Sequence, residues 1–277
     1  MKRDKRQETR DKKIAVIAGA LRAPFIVVDD LRRQGYEVFI VGIKNFCDPK
    51  LKPDMWARMG QAGSVIKELR RRGFTDLTMT GSLGHPNMAD IRPDFASIVM
   101  FARVIRNQKG YNSMLCAIIG ELGRLGFRIL APQVLCPSMT FEKPGVQTRA
   151  RPGKSDLDDI ARGIEVSKVI GKMDIGHSVA VHKQVLAMEA AEGTAKMLDR
   201  VKELRAGYKK KGGVLAKMVK PGQDLRLDTT AIGVDTVNAV ADAKLSGIVV
   251  DAKHCMIIDK DLAIQAANKR GIFIVAK

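Results

Sequence analysis

The chain has 277 residues, of which 45% are hydrophobic, and it carries 48 Lys and Arg against 30 Asp and Glu, a formal net charge of +18. This length and composition predict about two domains with well-packed cores, and no apolar run reaches the roughly 18 to 20 residues of a membrane-spanning helix. The N-terminus MKRDKRQETRDKK contains no apolar signal segment, so we expect a protein that is not secreted, with residues 1–12 as a flexible basic arm.

In the first half, apolar segments at 13–18, 38–42, 77–80 and 127–130 alternate with amphipathic segments at 24–34, 64–72, 95–107 and 113–125. Strands separated by helices predict a parallel, Rossmann-like α/β domain over residues 13–131. Ligands bind at the carboxyl ends of such strands, which makes Gly19 and Ala20 candidate phosphate-binding residues, beside Gly81 and Ser82. A tight turn explains Gly19 equally well. The segment has one glycine where a dinucleotide fingerprint has three, which argues against NAD.

Residues 132–153 contain four prolines and no apolar period, which predicts a linker between domains. After it, Ser155 is expected to cap a helix, with Asp158 and Asp159 as capping charges. Strands are predicted at 178–181, 185–189, 214–218, 248–251, 256–258 and 272–275, with helices beginning near Thr194 and spanning 234–243 and 262–270. This pattern predicts a second α/β domain over residues 154–277, and the short hairpin at 182–184 makes its sheet mixed.

The excess of basic residues leaves two kinds of anionic partner open. Basic clusters occur at 67–72 and 208–211, as in nucleic-acid-binding proteins. Aromatic residues make up only 5% of the chain, however, so stacking platforms for single strands are few. An anionic bilayer attracts the same charges, so the charge fits a membrane surface at least as well as nucleic acid, which the few aromatic residues disfavour. The four cysteines lie far apart without metal-ligand spacing, which is typical of buried thiols in a reducing compartment.

A Pro-Gly turn in the second half is surrounded by cations, carboxylates and an amide: Lys217, Lys220, Gln223, Asp224, Arg226 and Asp228. Cations can neutralise phosphate oxygens while a carboxylate holds Mg²⁺ or orients a water, so this mixture suits phosphoryl chemistry. A solvated charged turn is the alternative interpretation. Upstream, Glu189 and Glu192 precede Gly193 and Thr194 at a predicted helix start, where Thr194 could cap the helix or a phosphate could bind.

Together these segments resemble the bacterial UDP-2,3-diacylglucosamine pyrophosphatases of lipid A biosynthesis, of the type unrelated to the calcineurin-like enzyme. The resemblance rests on Asp174-Ile175-Gly176, LAMEAAEGT at 186–194, Lys217 and KPGQDLRLD at 220–228. It is looser in the first half and spans roughly residues 13 to 276. The chain departs from the family pattern at His177, Ala195, Tyr111-Asn112 and Thr229-Thr230-Ala231.

The resemblance implies metal-dependent hydrolysis of UDP-2,3-diacylglucosamine to UMP and 2,3-diacylglucosamine 1-phosphate, with Mg²⁺ or Mn²⁺ as cofactor. It makes Asp228 the essential carboxylate and Asp224 a second catalytic candidate, and the expected metal ligands are Asp228, Glu189 and Glu192. The expected substrate- and phosphate-binding residues are Gly193, Thr194, Lys217, Lys220, Gln223 and Arg226, with Gly19 and Ala20.

The implied location is cytoplasmic, peripherally associated with the inner membrane, and a homodimer is left open. The departures from the family pattern leave an alternative open, a catalytically weakened homologue acting as a basic membrane- or RNA-binding protein.

Overall fold

The computed structural model describes residues 12–83, 93–95, 97–98, 102, 111–226 and 230–277. The chain divides into two compact units, Met1–Cys136 and Pro137–Lys277. Within the described residues, no helix is both long enough and apolar enough to cross a membrane.

The first unit is built on a parallel sheet in the order β3-β2-β1-β4-β5. Its strands are β1 (Lys13–Ala18), β2 (Glu37–Ile43), β3 (Met55–Ala57), β4 (Asp76–Thr80) and β5 (Arg128–Ile129). The helices are α1 (Ala23–Arg33), α2 (Ala62–Arg71), α3 (Tyr111–Arg124) and α4 (Pro132–Leu135). The predicted parallel α/β sheet is confirmed, and the helix predicted over 95–107 lies almost entirely outside the described residues.

The central strands of this sheet are buried on both faces. β1 reads KIAVIA, and Ile14, Ala15, Val16 and Ala18 are wholly buried. Such continuous apolar runs are typical of parallel strands covered on both sides. The short β3 was not predicted, because its three residues Met55–Ala57 carry too little of an apolar pattern.

The second unit contains a six-stranded mixed sheet in the order β6-β13-β11-β9-β7-β8. Its strands are β6 (Gly145–Val146), β7 (Ser178–His182), β8 (Gln184–Met188), β9 (Val214–Lys217), β11 (Gly247–Val250) and β13 (Phe273–Ala276). β9, β11 and β13 are parallel to one another. At the two sides of the sheet, β6 is antiparallel to β13, β7 is antiparallel to β9, and β8 is antiparallel to β7. The predicted mixed sheet is confirmed.

Helices cover both faces of this sheet: α5 (Lys154–Lys172), α6 (Gly193–Leu204), α7 (Val234–Asp242) and α8 (Lys260–Arg270). Alternate strand residues point to opposite faces. In β9, Leu215 packs into the core that includes α6, α7 and α8 residues, while Val214 and Ala216 pack with α5. A Cβ added at Gly163 of α5 would lie 2.7 Å from the Ala216 Cβ, so glycine allows this helix to approach the sheet closely. Two short strands, β10 (Ala231–Ile232) and β12 (Met256–Ile257), form a separate parallel pair.

Two predicted capping roles were wrong. The helix α5 begins at Lys154 after Gly153, whose N–H donates to the Asp156 carboxylate at 2.9 Å, so Ser155 is not the cap. Asp159 is buried and accepts a hydrogen bond from the Lys183 N–H in the β7–β8 turn.

The segment 132–153, predicted as a linker, holds three regular elements. These are the helix α4 in the first unit and, in the second unit, the 3₁₀ helix Pro137–Met139 and the edge strand β6, which pairs with β13.

Candidate functional site

The carboxyl ends of β8, β9 and β11 meet at one edge of the sheet in the second unit. Because β7 runs antiparallel to β9, its amino end lies at the same edge. Two backbone bonds continue the pairing beyond the strands, from Glu189 N to Ser178 O at 2.9 Å and from Met218 N to His177 O at 3.0 Å. Ligands of open α/β sheets bind at such an edge. The sheet therefore brings together residues from segments that are far apart in sequence.

A buried hydrogen-bonded cluster lies at this edge. The Lys217 Nζ donates to the Thr194 hydroxyl at 2.7 Å, and that hydroxyl donates to Glu189 Oε1 at 2.8 Å. The Ser178 Oγ lies 3.1 Å from the Thr194 Oγ1. Lys217 and Glu189 are 8% and 6% exposed. Since an unpaired charge at this depth would be costly, the cluster explains how both side chains remain buried.

His177 lies on the other side of Glu189. Its backbone N–H donates to Glu189 Oε2 at 3.3 Å, and its Nε2 lies 3.6 Å from the same oxygen. Burial, together with the positive charges of Lys217 and Lys220, lowers the pKa of His177 to about 4 against the pull of Glu189. At neutral pH the imidazole is therefore uncharged.

The Glu189 carboxylate is ionised at neutral pH. Burial raises its pKa, but the His177 ring once it is protonated in acid, the Lys217 charge and the hydroxyls of Ser178 and Thr194 hold the pKa below its ordinary value. Because His177 is neutral, Lys217 supplies the compensating positive charge.

Lys220 is held at the same edge by the Asp174-Ile175-Gly176 segment. Its Nζ donates to Asp174 Oδ1 at 2.8 Å, and its backbone N–H donates to Gln223 Oε1 at 2.8 Å. A Cβ added at Gly176 would lie 2.3 Å from the Glu189 carbonyl oxygen. Glycine is therefore required where this segment passes under the end of β8.

Two other predicted site carboxylates are bound to arginines. Asp224 accepts hydrogen bonds from two nitrogens of the Arg226 side chain, from Nε at 2.8 and 3.2 Å and from Nη2 at 2.5 Å, and this pairing lowers the pKa of Asp224. Glu192 is paired with Arg200 and also accepts from the Ala190 N–H at 3.2 Å. Asp228, the carboxylate expected to be essential, lies outside the described residues.

The described carboxylates do not converge on a metal ion. Among the described residues, no group of three or more His, Cys, Asp and Glu side chains is arranged to share a metal. Glu189, Glu192 and Asp224 each bind protein donors instead. The described part of the expected ligand set, Glu189 and Glu192, therefore does not fit a metal site by itself.

The backbone amides predicted to cradle phosphate are used within the fold. Gly19 N and Ala20 N donate to Thr80 O and Ser82 O at 2.9 and 2.7 Å, and Gly193 N donates to Ala190 O at 3.2 Å. Gly19 and Ala20 do lie at the carboxyl edge of the first sheet, where Ala20 forms a bridge with Ser82. The helix α6 begins at Gly193 with Glu192 at the N-cap position, so the N-cap role suggested for Thr194 was wrong.

Two site residues were missed from the sequence. Ser178 begins β7 inside the buried cluster, and Asp251 follows β11 and accepts a hydrogen bond from the Val219 N–H. Burial raises the pKa of Asp251, against the opposing effect of that hydrogen bond. A carboxylate directly after the apolar run GIVV could have been found by its position at a strand end. Ser178 gave no comparable signal.

The sequence matches models of two protein families along most of its length. Residues 13–139 match the family described as the LpxI N-terminal domain, and residues 143–275 match the family described as the LpxI C-terminal domain. The chain is also similar to "UDP-2,3-diacylglucosamine pyrophosphatase LpxI" of Caulobacter vibrioides (strain ATCC 19089 / CIP 103742 / CB 15). The two sequences are 30% identical over 272 residues, which cover 95% of this chain and 97% of the relative.

Proposed function

The chain belongs to the LpxI family, and we propose from this that it hydrolyses the pyrophosphate bond of UDP-2,3-diacylglucosamine in lipid A biosynthesis. The products would be UMP and 2,3-diacylglucosamine 1-phosphate. The observation that carries the proposal is the similarity to the Caulobacter enzyme over 95% of the chain. The sequence resemblance to this family is thereby confirmed.

The geometry of the second unit supports an anionic substrate. Two motif lysines, Lys217 and Lys220, lie at one sheet edge, each bound to a side-chain oxygen of the protein. Fixed positive groups aimed at developing negative charge stabilise the transition state of phosphoryl transfer. We propose that these lysines neutralise the pyrophosphate oxygens while a water attacks one phosphorus and the bridging P–O bond breaks. Gln223 and Arg226 belong to the same turn and would contact the substrate.

We propose Asp228 as the essential carboxylate, which orients the attacking water or contributes to a Mg²⁺ or Mn²⁺ site. Mg²⁺ is usually held by one or two protein carboxylates together with substrate phosphates. The protein partners of Glu189 and Glu192 therefore favour a site with fewer protein ligands than the sequence suggested. A divalent cation would supply charge neutralisation at the phosphate oxygens.

The test is incubation of the purified protein with detergent-solubilised UDP-2,3-diacylglucosamine and Mg²⁺, with UMP measured by chromatography. We expect UMP release that EDTA abolishes, a loss of several orders of magnitude in Asp228→Ala, and a smaller loss in Asp224→Ala. Asp199→Ala, at an exposed position of α6, is the matched control. Full turnover in EDTA, or a fully active Asp228→Ala protein, would refute the proposed mechanism. RNA binding or vesicle binding without any turnover would favour the catalytically weakened homologue instead.

We also propose that the protein acts in the cytoplasm, peripherally bound to the anionic inner membrane. The net charge of +18 motivates this proposal, since each Lys or Arg near an anionic surface contributes about 1 kcal/mol. Cosedimentation with anionic vesicles should weaken with salt, because exposed charges are screened over about 8 Å at physiological ionic strength. Deletion of residues 1–12 should weaken vesicle binding but leave hydrolysis of solubilised substrate nearly unchanged. Equal binding to neutral vesicles would contradict an electrostatic membrane role.

A further inference from the structure

We propose that Glu189 and Thr194 are positioning residues that fix the Lys217 ammonium at the candidate site, and that neither binds metal or phosphate through its side chain. This inference rests on the proposed function and changes the roles that the sequence motif suggested for both residues. Three segments meet in the contact: the end of β8, the first turn of α6 and the end of β9.

The direction of each hydrogen bond in the cluster follows from its chemistry. An ammonium group can only donate and an ionised carboxylate can only accept, whereas a hydroxyl has one hydrogen and two lone pairs. The Thr194 hydroxyl therefore accepts from Lys217 Nζ at 2.7 Å and gives its single hydrogen to Glu189 Oε1 at 2.8 Å. No hydrogen of that hydroxyl remains to donate to a substrate phosphate.

The second Glu189 oxygen also has protein partners. Glu189 Oε2 accepts from the His177 backbone N–H at 3.3 Å and lies 3.6 Å from the His177 Nε2. Both oxygens are thus held within the protein, and the side chain is only 6% exposed. Each oxygen keeps a further lone pair, but among the described residues Glu189 belongs to no group of three or more His, Cys, Asp and Glu side chains that could share an ion. The carboxylate instead balances the charge of a buried lysine, which a buried cation requires.

The consequence for the reaction is a Lys217 charge that is fixed before substrate binds. A lysine side chain has four rotatable bonds and ordinarily samples many positions. The bond to Thr194 fixes one of its ammonium donors and, with it, the position of the charge. Preorganised charge is more effective than mobile charge because it need not reorient during the reaction.

The experiment compares Thr194→Val, which keeps the shape but removes the hydroxyl, with Thr194→Ser, which keeps the hydroxyl. We expect kcat of Thr194→Val to fall about 10- to 100-fold, with KM and the half-saturating Mg²⁺ concentration nearly unchanged. Thr194→Ser should stay within a few-fold of the unmodified protein. Glu189→Gln should also lower kcat at saturating Mg²⁺. If Glu189→Gln instead regains full kcat when Mg²⁺ is raised, the carboxylate is a metal ligand and the inference is wrong.

A second readout does not depend on turnover. The lysine ammonium signals of the full-length protein are recorded by ¹H–¹⁵N NMR without substrate or metal, and that of Lys217 is assigned with Lys217→Arg. Only a buried, hydrogen-bonded ammonium exchanges slowly enough to be seen, so we expect the signal in Thr194→Ser and its loss in Thr194→Val. An unchanged signal in folded Thr194→Val would overturn the inference. If Thr194→Val does not fold, Thr194→Ala, which also removes the hydroxyl, is recorded instead and should lose the signal in the same way. Absence of UMP release by the unmodified protein would refute the proposed function alone, because the ammonium signals would still test the positioning.

Discussion

Replacing His177 by Gln should make the second unit less sensitive to mild acid. In the folded protein the pKa of His177 is about 4, against 6.5 for an ordinary histidine, because the ring is buried next to Lys217 and Lys220. In the unfolded chain His177 is therefore protonated below about pH 6.5, whereas in the folded protein it is protonated only below about pH 4. The part of the stability that depends on His177 is accordingly highest above pH 6.5 and declines as the pH falls toward 4.

The size of this effect follows from the interval between the two pKa values. Each pH unit in the interval costs about 1.4 kcal/mol. Lowering the pH from 6.5 to 5 spans 1.5 units, so His177 should reduce the free energy of unfolding by about 2 kcal/mol. Glutamine does not titrate, and the His177→Gln protein should therefore lack this part of the acid sensitivity. Glu189, whose pKa is also perturbed in the folded state, adds its own contribution at lower pH in both proteins.

Amide hydrogen exchange of β7 and β9 reports the opening free energy of the unit that contains His177. Comparing the two proteins at the same pH removes the pH dependence of the chemical exchange itself. We expect the difference in opening free energy between His177→Gln and the unmodified protein to shift by about 2 kcal/mol in favour of the variant between pH 7 and pH 5. His254→Gln, at an exposed position, serves as the control and should show no such shift. Identical pH profiles of the unmodified protein and His177→Gln would refute the reasoning.

Two further predictions concern the same sheet edge. Gly176→Ala should destabilise the protein by about 1 to 3 kcal/mol, because the new Cβ would lie 2.3 Å from the Glu189 carbonyl oxygen. The control Gly207→Ala, whose Cβ would meet nothing within 4 Å, should change the unfolding free energy by less than about 0.5 kcal/mol. Equal thermal denaturation midpoints of the two variants would contradict this prediction. Restoring the family pattern with Ala195→Asp and His177→Gln should raise kcat or lower the Mg²⁺ concentration for half-maximal turnover. Ala195 is exposed in the first turn of α6, and a carboxylate is favoured at that end of a helix. Unchanged values of both parameters would mean that side chains at positions 177 and 195 do not contact the substrate or a metal ion.

The sequence alone was sufficient for most of the architecture. Strand β1 was predicted with its observed bounds, and the starts of helices α5 to α8 were each expected within two residues of where they occur. The alternation of apolar strands and amphipathic helices is a local property, with a period of about 2 or 3.6 residues, and can be read within one segment. The strands β3, β6 and β10 were missed because two or three residues are too few to display such a period.

Hydrogen-bond partners of the site residues were decided only by the tertiary structure. The motif residues Glu189, Thr194 and Lys217 could be named from the sequence, but Glu189 was assigned to a metal and Thr194 to a helix cap or a phosphate. In the structure they bind each other, because antiparallel pairing of β7 with both β8 and β9 brings the ends of β8 and β9 to one edge. The hydrogen-bond partner of Asp159 could not be predicted either, because the Lys183 N–H that it accepts from is 24 residues away in sequence. A residue type determines how many hydrogen bonds it can donate or accept, whereas the register of distant strands determines which atoms meet.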